Sequence, residues 1–277
     1  MRGVELHRCP GSPLVVSVPH TGTWVPAAVA ARLAVPVAVV QQRVDAFAWD
    51  VACTAIPHAT VVRAVCARAV VDPNRSGTVT AVDLHSDPDA DGERLVRLYG
   101  RQGESLWRAR PGVPAVSAQE LARRVRLYHE PYHRALEAAL AQAPRPCLLV
   151  DVHSMDESAF DLVIGDHRGR SAGVQFCEHV VRRFFAERGY RVGYAGPRSV
   201  DRRGRPLSPV AVRHSGGFIA SRYGDPAGGC LAVQLEVSRA TAERRLAAVR
   251  ADFGAFFAFA SSWLRQQAAA AAGAAAP

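Results

Sequence analysis

Short apolar runs that end abruptly at polar residues recur along the chain and predict buried strands. The clearest covers 148–153, where period-two alternation puts Asp151 and His153 on the same face of the predicted strand. A carboxylate beside an imidazole at a strand end can orient a metal-binding histidine. The alternative is a capped strand end whose two polar side chains bond only to loop backbone.

Polar groups also stand at the ends of other predicted strands. His20 follows the apolar run 14–18 directly, and a later apolar run carries Glu236. The carboxyl ends of strands in an open α/β sheet line the crevice where ligands bind. Together with Asp45 or Asp50 from the loop after His20, these groups meet the needs of a catalytic zinc site. Three protein ligands leave a position for water, and a glutamate takes its proton.

Helical periodicity separates these strands. The clearest helix spans 117–142, where Ser117 and Glu120 form a capping box at its start. Further helices are predicted at 172–187 and 241–267. Alternation of strands and helices predicts an α/β fold with a mostly parallel or mixed central sheet and helices on both faces.

The predicted domain organisation is simple. Residues 1–267 are expected to form a single domain, in which 60–65 and 69–72 are further strands. The polar, Gly- and Pro-rich stretch 76–116 is expected to be a long loop excursion over the site. The Ala-rich tail 268–277 is expected to be frayed or disordered.

Charge and composition narrow the function. The chain has 277 residues and a formal charge of +9, all of it from arginine because the sequence contains no lysine. That absence excludes a phosphate-loop lysine, a pyridoxal Schiff base and a kinase-type lysine. Guanidinium groups suit carboxylate ligands, so we expect a small anionic substrate. The arginines are scattered, which argues against a nucleic-acid partner.

Cysteine usage and hydropathy indicate a location. The six cysteines are far apart without any C-x-x-C pair, so we expect reduced core thiols of a cytoplasmic protein. The first residues have no apolar stretch typical of a signal peptide. No apolar run reaches the roughly 18 residues of a membrane span, so no membrane partner is expected.

One motif imitates a different zinc site. His129 to His133 matches H-E-x-x-H, which binds zinc when both histidines lie one turn apart on an unbroken helix. Pro131 removes a helical donor inside the motif and clashes with the preceding turn. We therefore expect His133 to support the site from its edge rather than to bind metal.

Motifs of other classes are incomplete. Residues 87–92 imitate the start of a calcium-binding EF-hand loop, but its closing position is Leu98 instead of glutamate. No G-x-S-x-G surrounds Ser154, and no G-x-G-x-x-G follows a predicted strand. These absences argue against a serine hydrolase and against a dinucleotide-binding enzyme.

The chain resembles the N-formylglutamate amidohydrolase family. Six motifs in order carry the resemblance: S-V-P-H-T-G at 17–22, V-D-P-N-R at 71–75, Y-H-E-P-Y-H at 128–133, D-V-H-S at 151–154, G-G-F-I at 216–219 with R-Y-G at 222–224, and Q-L-E at 234–236. The resemblance implies a fold similar to the zinc carboxypeptidases, of the phosphorylase/hydrolase-like kind. It also implies hydrolysis of N-formyl-L-glutamate to formate and glutamate.

The same resemblance implies roles for individual residues. It implies that His20 and His153 bind Zn²⁺, with Asp45 as the third ligand and Asp50 as the less favoured choice. Other implied roles are Glu236 as general base, Asn74, Arg75 and Arg222 as binders of substrate carboxylates, and Asp151 as support for His153. Two alternatives remain: a related hydrolase acting on another N-acyl amino acid or small peptide, and a binding module whose site is degenerate.

Overall fold

A computed structural model of the chain describes residues 3–84, 93–100, 102–108, 115–156, 159–197 and 214–274. The strands are β1 Val4–His7, β2 Leu14–Val18, β3 Thr60–Ala64, β4 Cys147–Met155, β5 Leu162–Gly165, β6 Val192–Tyr194 and β7 Cys230–Ser238. The helices are α1 Ala27–Ala30, α2 Val37–Gln41, α3 Ala48–Ala52, α4 Ala81–Leu84, α5 Ala118–Arg124, α6 Glu130–Gln142, α7 Val174–Phe176, α8 Arg183–Ala186, α9 Phe218–Tyr223 and α10 Arg239–Ala274.

The strands form a single seven-stranded sheet in the order β1-β3-β2-β4-β7-β5-β6. β4 pairs in parallel with both β2 and β7, whereas β5 runs antiparallel to β7. The sheet is therefore mixed, and the prediction of a single-domain α/β fold with a mostly parallel or mixed sheet is confirmed. Every residue of β2 and β4 is buried, which explains why both begin with an apolar run, at 14–16 and 147–150.

One predicted strand is wrong. Residues 69–72 are buried, but they form a turn followed by irregular backbone rather than a strand. The N–H of Val70 donates to Ala67 within a turn, and that of Asp72 donates to the carbonyl of Leu95. These bonds satisfy the N–H groups of Val70 and Asp72 without a neighbouring strand. An apolar run indicates that a segment is buried, but a buried segment can be either a strand or a packed turn.

The predicted helix 117–142 contains an irregular turn. Ser117 accepts a hydrogen bond from the N–H of Glu120 at 3.3 Å, so the expected cap is present at its N-terminus. Val125–His129 then forms a π-helical turn between α5 and α6. The turn ends two residues before Pro131, which has no N–H for a regular helical bond. The helix therefore accommodates the proline by widening one turn.

The larger of two compact units comprises residues 6–18, 46–62 and 138–277. Its core joins the apolar residues of β2, β4, β5 and β7 to an aromatic group from α8 and α10. Phe185 is fully buried and its ring centroid lies 4.8 Å from that of Phe253 and 5.0 Å from that of Phe256. Each such ring contributes about 1.5–3 kcal/mol by burial. α10 continues to Ala274, further into the Ala-rich tail than predicted.

The smaller unit comprises residues 1–5, 19–45 and 63–137. Its apolar core surrounds Trp107, which is 1% exposed. The guanidinium of the buried Arg124 lies 4.4 Å from the Trp107 ring and donates from Nε to Glu120 at 2.9 Å. A buried cation is tolerated here because a carboxylate and a ring face replace its hydration.

The six cysteines are free thiols, as predicted, and four of them are buried. The predicted calcium-like stretch 87–92 lies outside the described residues. Within the described part of the chain, no helix is both long enough and apolar enough to cross a membrane.

Asp161 ties three elements of the larger unit together. Its carboxylate accepts hydrogen bonds from the backbone and side chain of Arg191, just before β6, and from the hydroxyl of Thr241 in α10 at 2.7 Å. Its backbone carbonyl accepts from the N–H of Ser238. Burial opposes ionisation of Asp161, but these donors prevail and lower its pKa to about 2.

We expect Asp161→Asn to lower the free energy of unfolding by about 2 kcal/mol at pH 7, because hydrogen bonds to a charged group are worth about 1.5–3 kcal/mol. The pKa is lower in the folded chain, so this stabilisation is present above about pH 4 and is lost as the pH falls towards 2. Urea unfolding between pH 7 and pH 2 measures the difference between wild type and variant. The difference in unfolding free energy between wild type and variant should decrease as the pH falls, because the carboxylate of Asp161 becomes protonated.

Glu187→Gln is the matched control. Glu187 forms an ion pair with Arg183, but its side chain is 58% exposed, so we expect less than about 0.5 kcal/mol of change. A difference for Asp161→Asn that persists unchanged at pH 2 contradicts the assigned role of its charge.

Candidate metal centre and active site

The pairing of β4 with β7 places polar side chains on one face of the sheet. Asp151 is in register with Gln234, and His153 is in register with Glu236. Paired residues of neighbouring parallel strands project to the same face, about 4.8 Å apart. A buried imidazole and a buried carboxylate therefore stand side by side at the carboxyl ends of two adjacent strands.

Asp151 contacts the ring of His153 and fixes its orientation. The carboxylate of Asp151, which is fully buried, lies 2.9 Å from His153 Nε2. Its other oxygen accepts a hydrogen bond from the hydroxyl of Ser17 at 2.6 Å. This contact leaves Nδ1 as the nitrogen of His153 suited to bind a cation, and the nearby charge increases its basicity.

His20 has an equivalent arrangement with a different carboxylate. Its Nε2 lies 2.7 Å from Asp72, which is fully buried and also accepts from Arg68 at 2.7 Å. Burial opposes ionisation of Asp72, but Arg68 and His20 hold its pKa well below its usual range. His20 Nδ1 faces Asp45, whose carboxylate lies 3.4 Å away.

The backbone around His20 depends on a glycine. A side chain at Gly22 would come within 2.5 Å of the main chain of Val65 and Cys66. Two residues later, the N–H of Trp24 donates to the carbonyl of Val65 at 3.0 Å. Glycine permits this close approach, which fixes the loop that follows His20.

Three of the predicted residues form a group that could hold a metal ion. His20, Asp45 and His153 are each buried, and each offers one ligand atom within 4.8 Å of the others. In the described part of the chain, this group includes Asp45 and not Asp50. Asp50 lies on α3, half-buried. The geometry therefore favours the first of the two acidic residues left open by the sequence.

The donor atoms suit a divalent ion that prefers nitrogen and oxygen ligands. Two ligands bound to one zinc ion at about 2.0–2.2 Å in tetrahedral geometry lie about 3.4 Å apart. The separation of His20 Nδ1 from Asp45 matches that distance. Carboxylates at both Nε2 atoms are the outer contacts that metal-binding histidines usually make.

Two side chains contact the same carboxylate oxygen of Glu236. Gln234 Nε2 donates to Glu236 Oε1 at 2.7 Å, and His214 Nδ1 lies 3.2 Å from the same oxygen. The amide of Gln234 is oriented in turn, because its Oε1 accepts from the N–H of Gly217 at 2.6 Å. Gly216 before it has a φ of +118°, which glycine adopts without strain.

The predicted substrate-binding residues occupy two different elements. Asn74 is buried in the turn after Asp72, and its N–H donates to Asp72 Oδ1 at 2.9 Å. Arg75 is half-buried, and its Nη1 donates to the carbonyl of Asn74. Arg222 is exposed on α9, with its guanidinium 5.4 Å from the Tyr223 ring. Their roles in binding a substrate stay predictions.

The sequence interpretation missed several residues that contact the site. They are Ser17, Arg68, Asp72, His214 and Gln234. A sequence signal existed for Gln234, because it stands two residues before Glu236 and therefore shares its strand face. Asp72 stands at the end of an apolar run and in the V-D-P-N-R motif, but no local signal pairs it with His20, which lies 52 positions away.

Comparisons with known proteins agree with this fold. The family model for N-formylglutamate amidohydrolase matches residues 12–242. No curated protein matches the chain. The crystal structure of N-formylglutamate amidohydrolase from Ralstonia eutropha has a TM-score of 0.73 and 20% identity, covering 96% of this chain and 100% of that one. A gene product from Agrobacterium tumefaciens has a TM-score of 0.63 and 16% identity, covering 99% and 97%.

At this level of identity, the solved structures establish the fold alone, whereas the family model covers most of the sequence. A metallo-carboxypeptidase from Pseudomonas aeruginosa is only weakly similar, with a TM-score of 0.36 and 14% identity over 95% of this chain and 66% of that one. The match over residues 12–242 shows that the chain belongs to the N-formylglutamate amidohydrolase family.

Proposed function

We propose that the protein is a zinc-dependent hydrolase that cleaves N-formyl-L-glutamate to formate and glutamate. The observation that carries this proposal is the group of His20, Asp45 and His153, in which a buried carboxylate contacts Nε2 of each histidine. Two imidazoles and one carboxylate form a ligand set found in catalytic zinc sites. Family membership supports an amidohydrolase of the N-formylglutamate amidohydrolase type.

A zinc ion held by these residues would polarise the formyl carbonyl and lower the pKa of a water molecule. Asp72 and Asp151 keep the two histidines in the tautomer whose Nδ1 carries a lone pair. Asp45 contributes a negative charge that offsets a cation, and its backbone N–H donates to the carbonyl of His20 at 2.9 Å. These contacts hold the donors in place before any ligand arrives.

Glu236 is the proposed general base. It is 7% exposed, and its contacts with Gln234 and His214 are both to Oε1, so we infer that Oε2 takes the proton from water. The same oxygen then returns the proton to the leaving amine, because an amine leaves as a neutral group. Gln234 and His214 orient the carboxylate and do not compete for Oε2 in these contacts.

Arginine side chains are the proposed binders of the two substrate carboxylates. Arg75, with Asn74 beside it, and Arg222 would each supply a planar group that can bind a carboxylate through two hydrogen bonds. Holding both carboxylates of the substrate orients the formamide group, which branches from the carbon that bears the α-carboxylate. The excess of positive charge on the chain favours approach of an anion. We propose the cytoplasm as the location, consistent with free thiols.

A substrate panel tests the choice of substrate. Purified protein with zinc is assayed for acid release from N-formyl-L-glutamate, N-acetyl-L-glutamate, N-formyl-L-leucine and a Glu-containing dipeptide. We expect the first compound to have the highest kcat/KM, and N-formyl-L-leucine to lose at least about tenfold because it lacks one carboxylate. A higher kcat/KM for another compound favours the related hydrolase, and absence of both turnover and bound metal favours the binding module.

We expect Glu236→Gln to lower kcat by roughly 10²–10⁴-fold while bound zinc is retained, because general-base catalysis contributes about that much. Formate and glutamate release are measured together with metal content. The matched control is Glu243→Gln, which changes an exposed residue on α10 and should leave turnover unchanged. Full turnover by Glu236→Gln contradicts the assignment of the base.

We expect Asp151→Asn to weaken zinc binding about 10–100-fold, because loss of the charge behind a histidine ligand lowers its basicity. Competition with a chromophoric chelator measures the dissociation constant. Asp156→Asn is the control, since Asp156 follows the same strand with its side chain 67% exposed. Equal affinity of wild type and Asp151→Asn rules out His153 as a ligand supported by that carboxylate.

A further inference from the structure

The H-E-x-x-H segment of the sequence has a defined place in the structure but no role in the proposed chemistry. His129 ends the π-helical turn, and His133 lies one turn later on α6. Both are 5% exposed, and their ring centroids are 4.3 Å apart. The candidate metal group found in the described residues contains neither of them. Two buried imidazoles in contact, with their ring planes tilted by 35°, therefore need another explanation.

Each ring contacts one backbone carbonyl of the turn that carries Asn74 and Arg75. His133 Nε2 lies 2.9 Å from the carbonyl oxygen of Pro73, and His129 Nε2 lies 2.9 Å from that of Arg75. A carbonyl oxygen only accepts, so both Nε2 atoms must carry a hydrogen and donate it. The two bonds hold the peptide group that precedes Asn74 and the peptide group that follows Arg75.

The neighbouring residues are consistent with a fixed turn. A side chain at Gly77 would come within 3.0 Å of the His129 ring, so glycine permits the ring to lie against this segment. On the amino-terminal side, Asp72 accepts the N–H of Asn74. The proline at 73 has no N–H to donate, so the two carbonyl contacts add to the single N–H contact of Asn74 in holding this turn.

We propose that His129 and His133 form a histidine clamp that positions Asn74 and Arg75 for the substrate. The clamp acts through the backbone of residues 73–75, so these histidines are positioning residues and do not touch the reacting atoms. This inference rests on the proposed function for the role of Asn74 and Arg75. It also gives the H-E-x-x-H segment a purpose other than binding zinc.

The test compares variants that remove or retain the donor. In His129→Leu and His133→Leu the N–H is lost, and we expect KM for N-formyl-L-glutamate to rise at least about tenfold, with kcat changed less than about threefold. In His133→Gln the amide can donate to the same carbonyl, so KM should return to within about threefold of wild type. Zinc content should equal that of wild type in all three.

Glu130→Gln is the matched control. Glu130 stands between the two histidines, but its side chain is 48% exposed and pairs with Arg134, so its kinetics should be those of wild type. A large loss of kcat in Glu130→Gln, or loss of zinc from His133→Leu, would establish a helix-borne zinc site and overturn the clamp. Unchanged KM in folded His→Leu variants would overturn it as well.

A second measurement applies if the leucine variants fail to fold. Long-range ¹H–¹⁵N correlation spectra of wild type labelled at histidine report the protonated nitrogen of each ring. We expect both rings to carry hydrogen on Nε2, and a ring protonated only on Nδ1 overturns the clamp. Wild type that folds, shows these tautomers and does not hydrolyse N-formyl-L-glutamate instead contradicts the proposed function.

Discussion

The contact of a buried carboxylate with Nε2 of a buried histidine occurs twice, and the candidate site depends on both. Asp72 and Asp151 are fully buried, so each requires donors to replace the water it has lost. Arg68 and the N–H of Asn74 also donate to Asp72, and Ser17 donates to Asp151. Because each carboxylate contacts Nε2, the two imidazoles present the opposite nitrogen for chemistry. The two histidines are therefore positioned by an outer layer of hydrogen-bonding residues.

The pairing of strands in the sheet positions Glu236, the proposed general base. Register between β4 and β7 puts Glu236 beside His153, and a shift of one residue would turn either side chain to the other face. The apolar residues on the opposite face, including Val152 and Leu235, belong to the core and hold that register. The alternation of apolar and polar residues along β4 and β7 therefore both stabilises the core and positions Glu236 beside His153.

Much of this arrangement was predictable from the sequence. The parts that were not predictable have a physical cause. The apolar runs predicted β2, β4 and β7, and the polar residues at their ends indicated His20, His153 and Glu236. The turn at 69–72 was mistaken for a strand because periodicity reports burial and not pairing. The partner of His20 could not be predicted locally, since its distance in sequence is bridged only by tertiary structure.

The proposed binding of one zinc ion by His20, Asp45 and His153 can be observed by anomalous diffraction from zinc-loaded crystals, recorded on both sides of the zinc absorption edge. One strong peak is expected about 2.0–2.2 Å from Nδ1 of His20, from Nδ1 of His153 and from the carboxylate of Asp45. A peak at His129 and His133, or none near His20 and His153, would show that these three residues do not form the zinc site.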